Sequence, residues 1–285
     1  MSEQRTSDLR LARPALRYHG GKWRLATWLI PMFPSAHHTY VEPFGGGAGV
    51  LLRKPRSHFE VYNDLDGDVV TFFRVLRDPV QREQLAERLA LTPSSRAEFD
   101  LAYEPTAEPV ERAARVAIRS WQGYGSAGAA KSTTGFRMSA KDVHLWARLP
   151  DAIGGIGSRL EGVLIENRQA IDVMLQFDSH ETLHYVDPPY VLRTRNRASK
   201  HIHRYYRHEM NDSEHEYLCA CLRNLKGMVV LSGYESTLYR DQLEGWETLS
   251  HRTSGGSNRG SVPRTETVWL NEACVRAQRE GRMTA

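Results

Sequence analysis

Strand-like apolar runs separated by helical patterns are the feature that most constrains the fold of this 285-residue chain. Such runs occur at residues 39–41, 59–62, 162–165, 183–186, 228–231 and 267–270. Helical patterns lie between most of them, and strands that alternate with helices are typical of a parallel sheet covered by helices. The sequence therefore predicts an α/β fold.

The alternation fails between about residues 68 and 160, where the periodic segments read only as helices. A Gly/Ser/Thr-rich stretch, "GYGSAGAAKSTTG", lies inside this region. We therefore expect residues 68–160 to form a helical insertion in a discontinuous domain of residues 14–67 and 161–275, with flexible tails at 1–13 and 276–285. The segments "RTRNRASKHIHRYYRH" and "HRTSGGSNRGSVPR" are predicted to be mobile.

Composition limits the classes of function. The net charge of +4 leaves room for a polyanionic partner without establishing one. Three cysteines without zinc-ligand spacing favour a reducing compartment and a protein without a structural metal. No apolar stretch reaches the ~18 residues of a membrane span, and the N-terminus lacks the apolar core of a signal peptide. We therefore expect a cytoplasmic protein that binds neither a membrane nor a metal.

The stretch "TYVEPFGGGAGVLL" reads as a strand, a glycine turn and the start of a helix. Glycines at this point let the backbone approach a ligand. The spacing that follows Gly45 does not match the dinucleotide fingerprint, and no Lys-Ser/Thr follows as in a phosphate-binding loop. Glu42, at the end of the strand, would repel phosphate but attract a cation. The turn therefore favours S-adenosylmethionine, which is cationic at two atoms and carries no phosphate.

An acidic residue follows the next predicted strand, in "EVYNDLD". Asp64 lies 64 − 45 = 19 residues after Gly45, close to the offset of about 20 residues at which an acid meets ribose hydroxyls. A plain tight turn with an exposed acid is the alternative. The turn, Glu42 and Asp64 together favour a nucleoside cofactor.

The stretch "HYVDPPYVLRTR" raises two interpretations. It is either an ordinary turn, since Asp-Pro dipeptides are common in loops, or it holds a carboxylate, a carbonyl and a ring around a planar substrate. Proline fixes φ and lacks an N–H, so a Pro-Pro pair makes the direction of the Pro188 carbonyl rigid.

These motifs, taken in order, resemble those of the Dam-like DNA adenine N6-methyltransferases, in the class whose cofactor motifs precede the catalytic motif. The similar stretches are "RYHGGKW", "YVEPFGGGAG", "NDLDGDVV", "DPPY", "MNDSEHEYL", "VVLSGY" and "TETVWLNE", over about residues 17–272. The stretch after "DPPY" is more similar to phage and prophage members than to the best-known members.

The resemblance implies a Rossmann-like sheet that binds S-adenosylmethionine, with a helical insertion that recognises DNA. The cofactor residues that it implies are Tyr18, Gly20, Lys22, Glu42, Pro43, Phe44, Gly45, Gly47, Asp64, Leu65, Gln169, Ala170 and Asp187. The family often has an acid and an aromatic residue where this chain has Gln169 and Ala170. The catalytic tetrapeptide that it implies is Asp187, Pro188, Pro189 and Tyr190.

The chemistry of adenine methylation suits this tetrapeptide. The lone pair of the exocyclic amine is delocalised into the ring, so the amine is a poor nucleophile. Asp187 and the Pro188 carbonyl would each accept one amine hydrogen and stabilise the nitrogen as it becomes cationic. Tyr190 would stack on a base flipped out of the duplex.

Basic residues near these motifs are the candidates for DNA contacts: Arg17, Lys131, Arg137, Arg193, Arg195, Arg197, Lys200 and Arg204. The alternative is that they are solvated surface charges, which is the usual fate of a charged run.

The sequence as a whole predicts a site-specific DNA adenine N6-methyltransferase acting on double-stranded DNA. Two alternatives stay open: an RNA adenine methyltransferase, and an inactive DNA-binding protein on the same frame. Nicotinamide-linked redox chemistry is disfavoured by the glycine spacing. The recognition sequence, a cognate restriction nuclease and the biological role (genome maintenance, phage protection or restriction-modification) do not follow from the sequence.

Overall fold

A computed structural model describes residues 11–124, 134–195, 206–257 and 260–283, with side chains except at 254–257, 260–263 and 282–283. A seven-stranded sheet is formed by the described strands: β1 (Thr39–Glu42), β2 (Phe59–Asn63), β3 (Val163–Glu166), β4 (Thr182–Val186), β5 (Met228–Gly233), β6 (Glu247–Ser257) and β7 (Gly260–Leu270).

The strand order is β3-β2-β1-β4-β5-β7-β6. The first five strands are parallel, whereas β7 runs antiparallel to β5 and β6. The predicted α/β fold, with a Rossmann-like and mainly parallel sheet, is confirmed. Because the order reverses between β1 and β4, a crevice is expected at the carboxyl ends of these two strands.

The described helices are α1 (Ala26–Leu29), α2 (Gly67–Arg77), α3 (Pro79–Leu91), α4 (Arg96–Leu101), α5 (Pro109–Gln122), α6 (Ala140–Ala147), α7 (Leu149–Leu160), α8 (Ala170–Gln176), α9 (Asp212–Asn224), α10 (Thr237–Gln242) and α11 (Glu272–Met283). Among the described residues, no helix is both long and apolar enough to cross a membrane.

In the order of the chain, the helices α2 to α7 all come between β2 and β3. They share one apolar core with the sheet: Phe72 and Phe73 of α2 and Ile156 of α7 belong to the same buried cluster as Tyr40 and Tyr62 of the strands. The helical region therefore shares one buried core with the sheet, and α2 packs against β3.

Burial along the central strands explains their continuous apolar sequences. Every residue of β4 and β5 is buried, as is usual for parallel strands covered on both faces. The acid that follows β4 is thus anchored by a strand with hydrogen-bonded neighbours on both sides, β1 and β5.

Two segments of the C-terminal region have secondary structure that was not predicted from the sequence. The segment predicted to be mobile near residues 251–264 lies in the β6–β7 hairpin; β6 was missed because its Gly/Ser-rich sequence lacks apolar alternation, and its pairing comes from backbone bonds to β7. The stretch from residue 276, predicted as a flexible tail, continues α11 to Met283. Cys274 and Ala277 pack this helix against the main core, and Gln278 donates to the carbonyl of Met32.

Candidate active site

A cavity of about 820 Å³ opens at the crevice between β1 and β4. Three carboxylates from the carboxyl ends of parallel strands line it: Glu42 at the end of β1, Asp64 after β2 and Asp187 after β4. The side chains that the sequence singles out on separate strands therefore meet at one edge of the sheet.

The glycine loop is held close to the sheet by two tyrosines. A Cβ atom at Gly45 would overlap the ring of Tyr62, and one at Gly47 would lie 2.9 Å from Cβ of Tyr18. Gly46 adopts a φ of +46°, which favours glycine, and its carbonyl accepts from the Tyr62 hydroxyl at 2.7 Å. The glycines are thus required by the packing of these rings, and Gly45, Gly46 and Gly47 line the cavity.

Asp64 joins the glycine loop to the end of β2. One carboxylate oxygen accepts from the backbone N–H of Gly46 at 2.7 Å, and the other accepts from the N–H of Asp66 at 2.8 Å. Burial raises the pKa of Asp64 to about 6, although the backbone bonds oppose this shift. The carboxylate therefore titrates just below neutral pH at the point where the sequence predicts a ribose-binding acid.

Asp66 presents an unsatisfied acceptor beside this site. Its Oδ1 accepts from the N–H of Asp68 at the start of α2, whereas its Oδ2 is buried and has no hydrogen-bond partner among the described residues. Asp66 also lines the cavity. A buried acceptor without a partner is unfavourable, so a ligand hydroxyl at this point would relieve it.

Glu42 lines the cavity and holds the loop that follows β1. Its Oε2 accepts from the Tyr40 hydroxyl at 2.7 Å and from the N–H of Leu51 at 3.0 Å. Burial raises the pKa of Glu42 to about 8, and the charge of Asp187 adds to this. At neutral pH the group is therefore largely uncharged, and it holds the loop after β1 through these two hydrogen bonds. The attraction of a cation by Glu42 stays a prediction.

Lys22 occupies the centre of the site. Its Nζ lies 2.8 Å from both carboxylate oxygens of Asp187 and donates to the carbonyl of Gly20 at 2.8 Å. Burial alone would lower the pKa of Lys22, but the carboxylates of Asp187 and Glu266 outweigh it and leave the pKa raised. Lys22 therefore stays protonated and acts as a fixed positive charge.

Asp187 has a second neighbour on β5. Ser232 donates its hydroxyl to Oδ1 of Asp187 at 2.9 Å, and the Tyr185 hydroxyl lies 3.1 Å from Oγ of Ser232. The Asp187 side chain is only 17% exposed, and it faces the cavity. A carboxylate held on two sides in this way can accept a hydrogen bond from a planar amine without moving.

Two of the four residues of the predicted catalytic tetrapeptide line the cavity. Asp187 and Pro189 line the cavity, whereas Pro188 is buried. Tyr190 lies beside the cavity: its hydroxyl donates to Glu266, its ring centroid is 4.5 Å from that of Tyr234, and Lys22 lies 4.7 Å from the ring centroid. Stacking of a base on Tyr190 stays a prediction, and one face of the ring already receives Lys22.

The structure brings the other predicted cofactor residues around the same cavity. Those that line it are Tyr18, Gly20, Pro43, Phe44, Gly45, Gly47, Leu65, Gln169 and Ala170. Gln169 and Ala170 lie at the start of α8, and the adenine contact that the resemblance implies there stays a prediction.

Residues 206–211 form a wall of the cavity that the sequence interpretation missed. The Tyr206 hydroxyl donates to the carbonyl of His19 at 3.2 Å. Arg207 lies 2.6 Å from the carboxylate of Asp68 and 3.4 Å from that of Asp66. From the sequence, Tyr206, Arg207 and His208 are predicted only to lie in a mobile segment, and no cavity contact is assigned to them.

The position of Arg195 contradicts the prediction that it contacts DNA. The residue is 8% exposed, and its guanidinium binds Glu209 through two bonds of 3.0 and 2.7 Å. Its Nε also donates to the carbonyl of Tyr190 at 2.9 Å. Arg195 therefore connects the catalytic corner to residues 206–211, a role that depends on a partner 14 residues away.

Other predicted DNA contacts have carboxylate partners within the chain. Arg17 and Arg137 both bind Asp142, at 2.9 and 3.3 Å, and Arg193 binds Asp212 at 2.6 Å. Arg193 keeps 60% of its side chain exposed, so it is the best placed of the three for a phosphate. Lys131, Arg197, Lys200 and Arg204 lie outside the described residues.

Comparison with known proteins agrees with this geometry. A family model of D12 class N6 adenine-specific DNA methyltransferases matches residues 18–253. Modification methylase StsI of Streptococcus sanguinis is 30% identical over 84 residues, which are 29% of this chain and 13% of that protein. A DNA adenine methylase of Haemophilus influenzae is 34% identical over 70 residues, which are 24% of this chain and 23% of that protein. The similar segments thus span less than a quarter of either relative.

Proposed function

The chain belongs to the D12 class of N6 adenine-specific DNA methyltransferases, and we propose that it transfers a methyl group from S-adenosylmethionine to the N6 amine of an adenine in double-stranded DNA. The observation that carries this proposal is the placement of Asp187. Its carboxylate faces the cavity at the end of β4, fixed by Lys22 and Ser232.

The residues around the cavity suit S-adenosylmethionine. The glycine loop lines the cavity without side chains, and the carboxylate of Asp64 offers an acceptor for ribose hydroxyls. Glu42, which is largely neutral at pH 7, imposes no fixed charge on the ligand. When bound, S-adenosylmethionine supplies an electrophilic methyl group on a sulfonium sulfur.

The chain's own residues would activate the amine by orientation. Asp187 and the Pro188 carbonyl accept one amine hydrogen each, which directs the nitrogen lone pair away from the ring plane. Both acceptors are fixed before the reaction, so they stabilise the developing positive charge without reorganising. A base inside a duplex cannot reach this pocket, so the target adenine must first leave the stack, at a few kcal/mol.

The helical segment 68–160 is proposed to recognise the DNA sequence, and Arg17, Arg137 and Arg193 to contact its backbone. This proposal is supported by the contact of the segment with residues 206–211, which form a wall of the cavity. The contact is the ion pair between Arg207 of the wall and Asp68 of α2. We place the activity in the cytoplasm, where reduced cysteines and accessible DNA occur together.

Transfer of a radiolabelled methyl group to duplex DNA of mixed sequence tests the proposal, with folded RNA as a second substrate. We expect label in N6-methyladenine of duplex DNA, and a loss of at least about 10²–10³-fold in Asp187→Ala with cofactor affinity within a few-fold of wild type. Label in RNA alone would favour the RNA alternative. DNA binding without any transfer would favour an inactive binding protein.

A further inference from the structure

Glu266 is a buried carboxylate in the stretch "TETVWLNE", to which the resemblance assigns no functional role, and it lies beyond the family match, which ends at residue 253. It lies on β7, and the next residue, Thr267, pairs with Gly233 at the end of β5. Because β7 runs antiparallel to β5, this register brings Glu266 to the same edge of the sheet as Asp187. Only 5% of Glu266 is exposed.

Glu266 contacts two residues of the catalytic corner. Its Oε1 accepts from the Tyr190 hydroxyl and lies 3.6 Å from Nζ of Lys22. Lys22 therefore divides its positive charge between two carboxylates, with the shorter contact to Asp187. The nearby cation Arg264 is engaged elsewhere, donating to the Tyr234 hydroxyl at 2.8 Å.

The charges around the amine site give Glu266 a second effect. Lys22 contributes one positive charge, and Asp187 and Glu266 contribute one negative charge each, so the three side chains carry 1 − 2 = −1 when ionised. Without Glu266, Lys22 and Asp187 would form a neutral pair. The negative charge of Glu266, in a site shielded from water, therefore favours the amine as it becomes cationic.

We propose that Glu266 is a positioning residue of the methyl-transfer site: it fixes the ring of Tyr190 through the hydroxyl and offsets the charge of Lys22, so that Asp187 faces the amine with its negative potential intact. This inference rests on the proposed function. Glu266 acts through Tyr190, Lys22 and Asp187 and does not touch the substrate.

The test compares Glu266→Gln with Glu266→Asp in single-turnover methyl transfer to duplex DNA. Gln keeps an acceptor for Tyr190 but removes the charge, whereas Asp keeps the charge on a shorter side chain. We expect the rate constant of Glu266→Gln to fall by about tenfold or more, with the dissociation constants for S-adenosylmethionine and DNA within twofold of wild type. Glu266→Asp should recover part of the lost rate.

A matched control is Glu60→Gln. Glu60 is another buried glutamate of the sheet, 3% exposed, and it forms ion pairs of 2.6 Å with Lys54 and Arg159 away from the cavity. Its loss should lower the melting temperature and leave the single-turnover rate constant of the folded enzyme unchanged.

Three outcomes would overturn the inference. A rate constant of Glu266→Gln within twofold of wild type would remove the electrostatic role. A loss of rate in Glu266→Gln matched by losses of cofactor affinity and melting temperature would leave only a structural role. A wild-type protein that transfers no methyl group to any adenine would refute the proposed function and this inference with it, whereas the first two outcomes, seen with active wild type, refute the inference alone.

Discussion

The ammonium group of Lys22 lies 2.8 Å from the carboxylate of Asp187, although the two residues are 165 positions apart in the chain. The contact joins the segment before α1 to the end of β4. Nζ of Lys22 also donates to the carbonyl of Gly20 at 2.8 Å and lies 3.6 Å from Oε1 of Glu266. The ammonium group is therefore surrounded by acceptors, and its raised pKa keeps it protonated.

Replacement of Lys22 by Met should destabilise the fold and slow catalysis together. The substitution leaves the carboxylates of Asp187 and Glu266 buried without their shared cation, and breaking a buried ion pair from one side costs about 3–5 kcal/mol. Urea unfolding at pH 7.5 measures this loss. A variant with unchanged stability would show that the carboxylates are neutralised in another way.

Asp64→Asn should remove a pH dependence of cofactor binding. Burial raises the pKa of Asp64 to about 6, and ribose hydroxyls donate best to the ionised carboxylate. Wild-type affinity for S-adenosylmethionine should therefore fall as the pH decreases below about 6, by up to about tenfold per pH unit. Calorimetric titrations at pH 5.0 and 7.5 measure the effect. An equal decrease in Asp64→Asn and wild type would assign the titration to another group.

Glu42→Gln should change how stability depends on pH. Because the pKa of Glu42 is raised to about 8 in the folded protein from the ordinary value of 4.5, the folded state retains a proton that the unfolded state has lost between these pH values. Wild-type stability should thus decrease as the pH rises through this window, by at most about 1.36 kcal/mol per unit. Gln can accept the bonds from Tyr40 and Leu51 without titrating.

Denaturant unfolding of wild type and Glu42→Gln at pH 6, 7 and 8 measures this difference. The variant should gain stability relative to wild type at each step upward in pH. Parallel curves of stability against pH for the two proteins would mean that Glu42 is ionised in the folded state at all three pH values. A positive charge near Glu42 would then have to compensate it.

Two arginines of the same segment should respond differently when the charge is removed. Arg193→Gln should reduce the slope of log affinity for duplex DNA against log salt by about 0.9, since its exposed guanidinium is proposed to contact one phosphate. Arg195→Gln should leave this slope unchanged and lower the methylation rate, because Arg195 supports the Tyr190 carbonyl and Glu209. Fluorescence anisotropy across a salt series measures both slopes. A reversal of the two results would contradict the assignment.

The parts of the site that are local in sequence were predictable. The glycine loop and the Asp-Pro-Pro-Tyr corner each carry their geometry in a few adjacent residues, since glycine and proline limit the backbone directly. The position of Asp64 was also predictable, because in this type of fold the acid that follows the second strand lies at a nearly fixed number of residues after the glycine loop.

The remaining parts depend on partners distant in sequence. Glu266 lies in the site because of the register of β7 against β5. Arg195 is buried because its guanidinium donates to the carboxylate of Glu209. The raised pKa of Glu42 likewise follows from burial, which no pattern around residue 42 reveals. The hairpin strand β6 has a polar sequence, so its pairing is visible only in the backbone bonds.

The location of Asp187 directly after β4 has a consequence for heat inactivation. This strand is buried along its whole length and hydrogen-bonded to β1 and β5 on its two sides, so it belongs to the part of a protein that opens only with the entire structure. The carboxylate cannot be displaced by fraying at an edge. On slow heating, the amine acceptor should therefore keep its position until the whole sheet melts, and its amide neighbours should be among the last to exchange with deuterium.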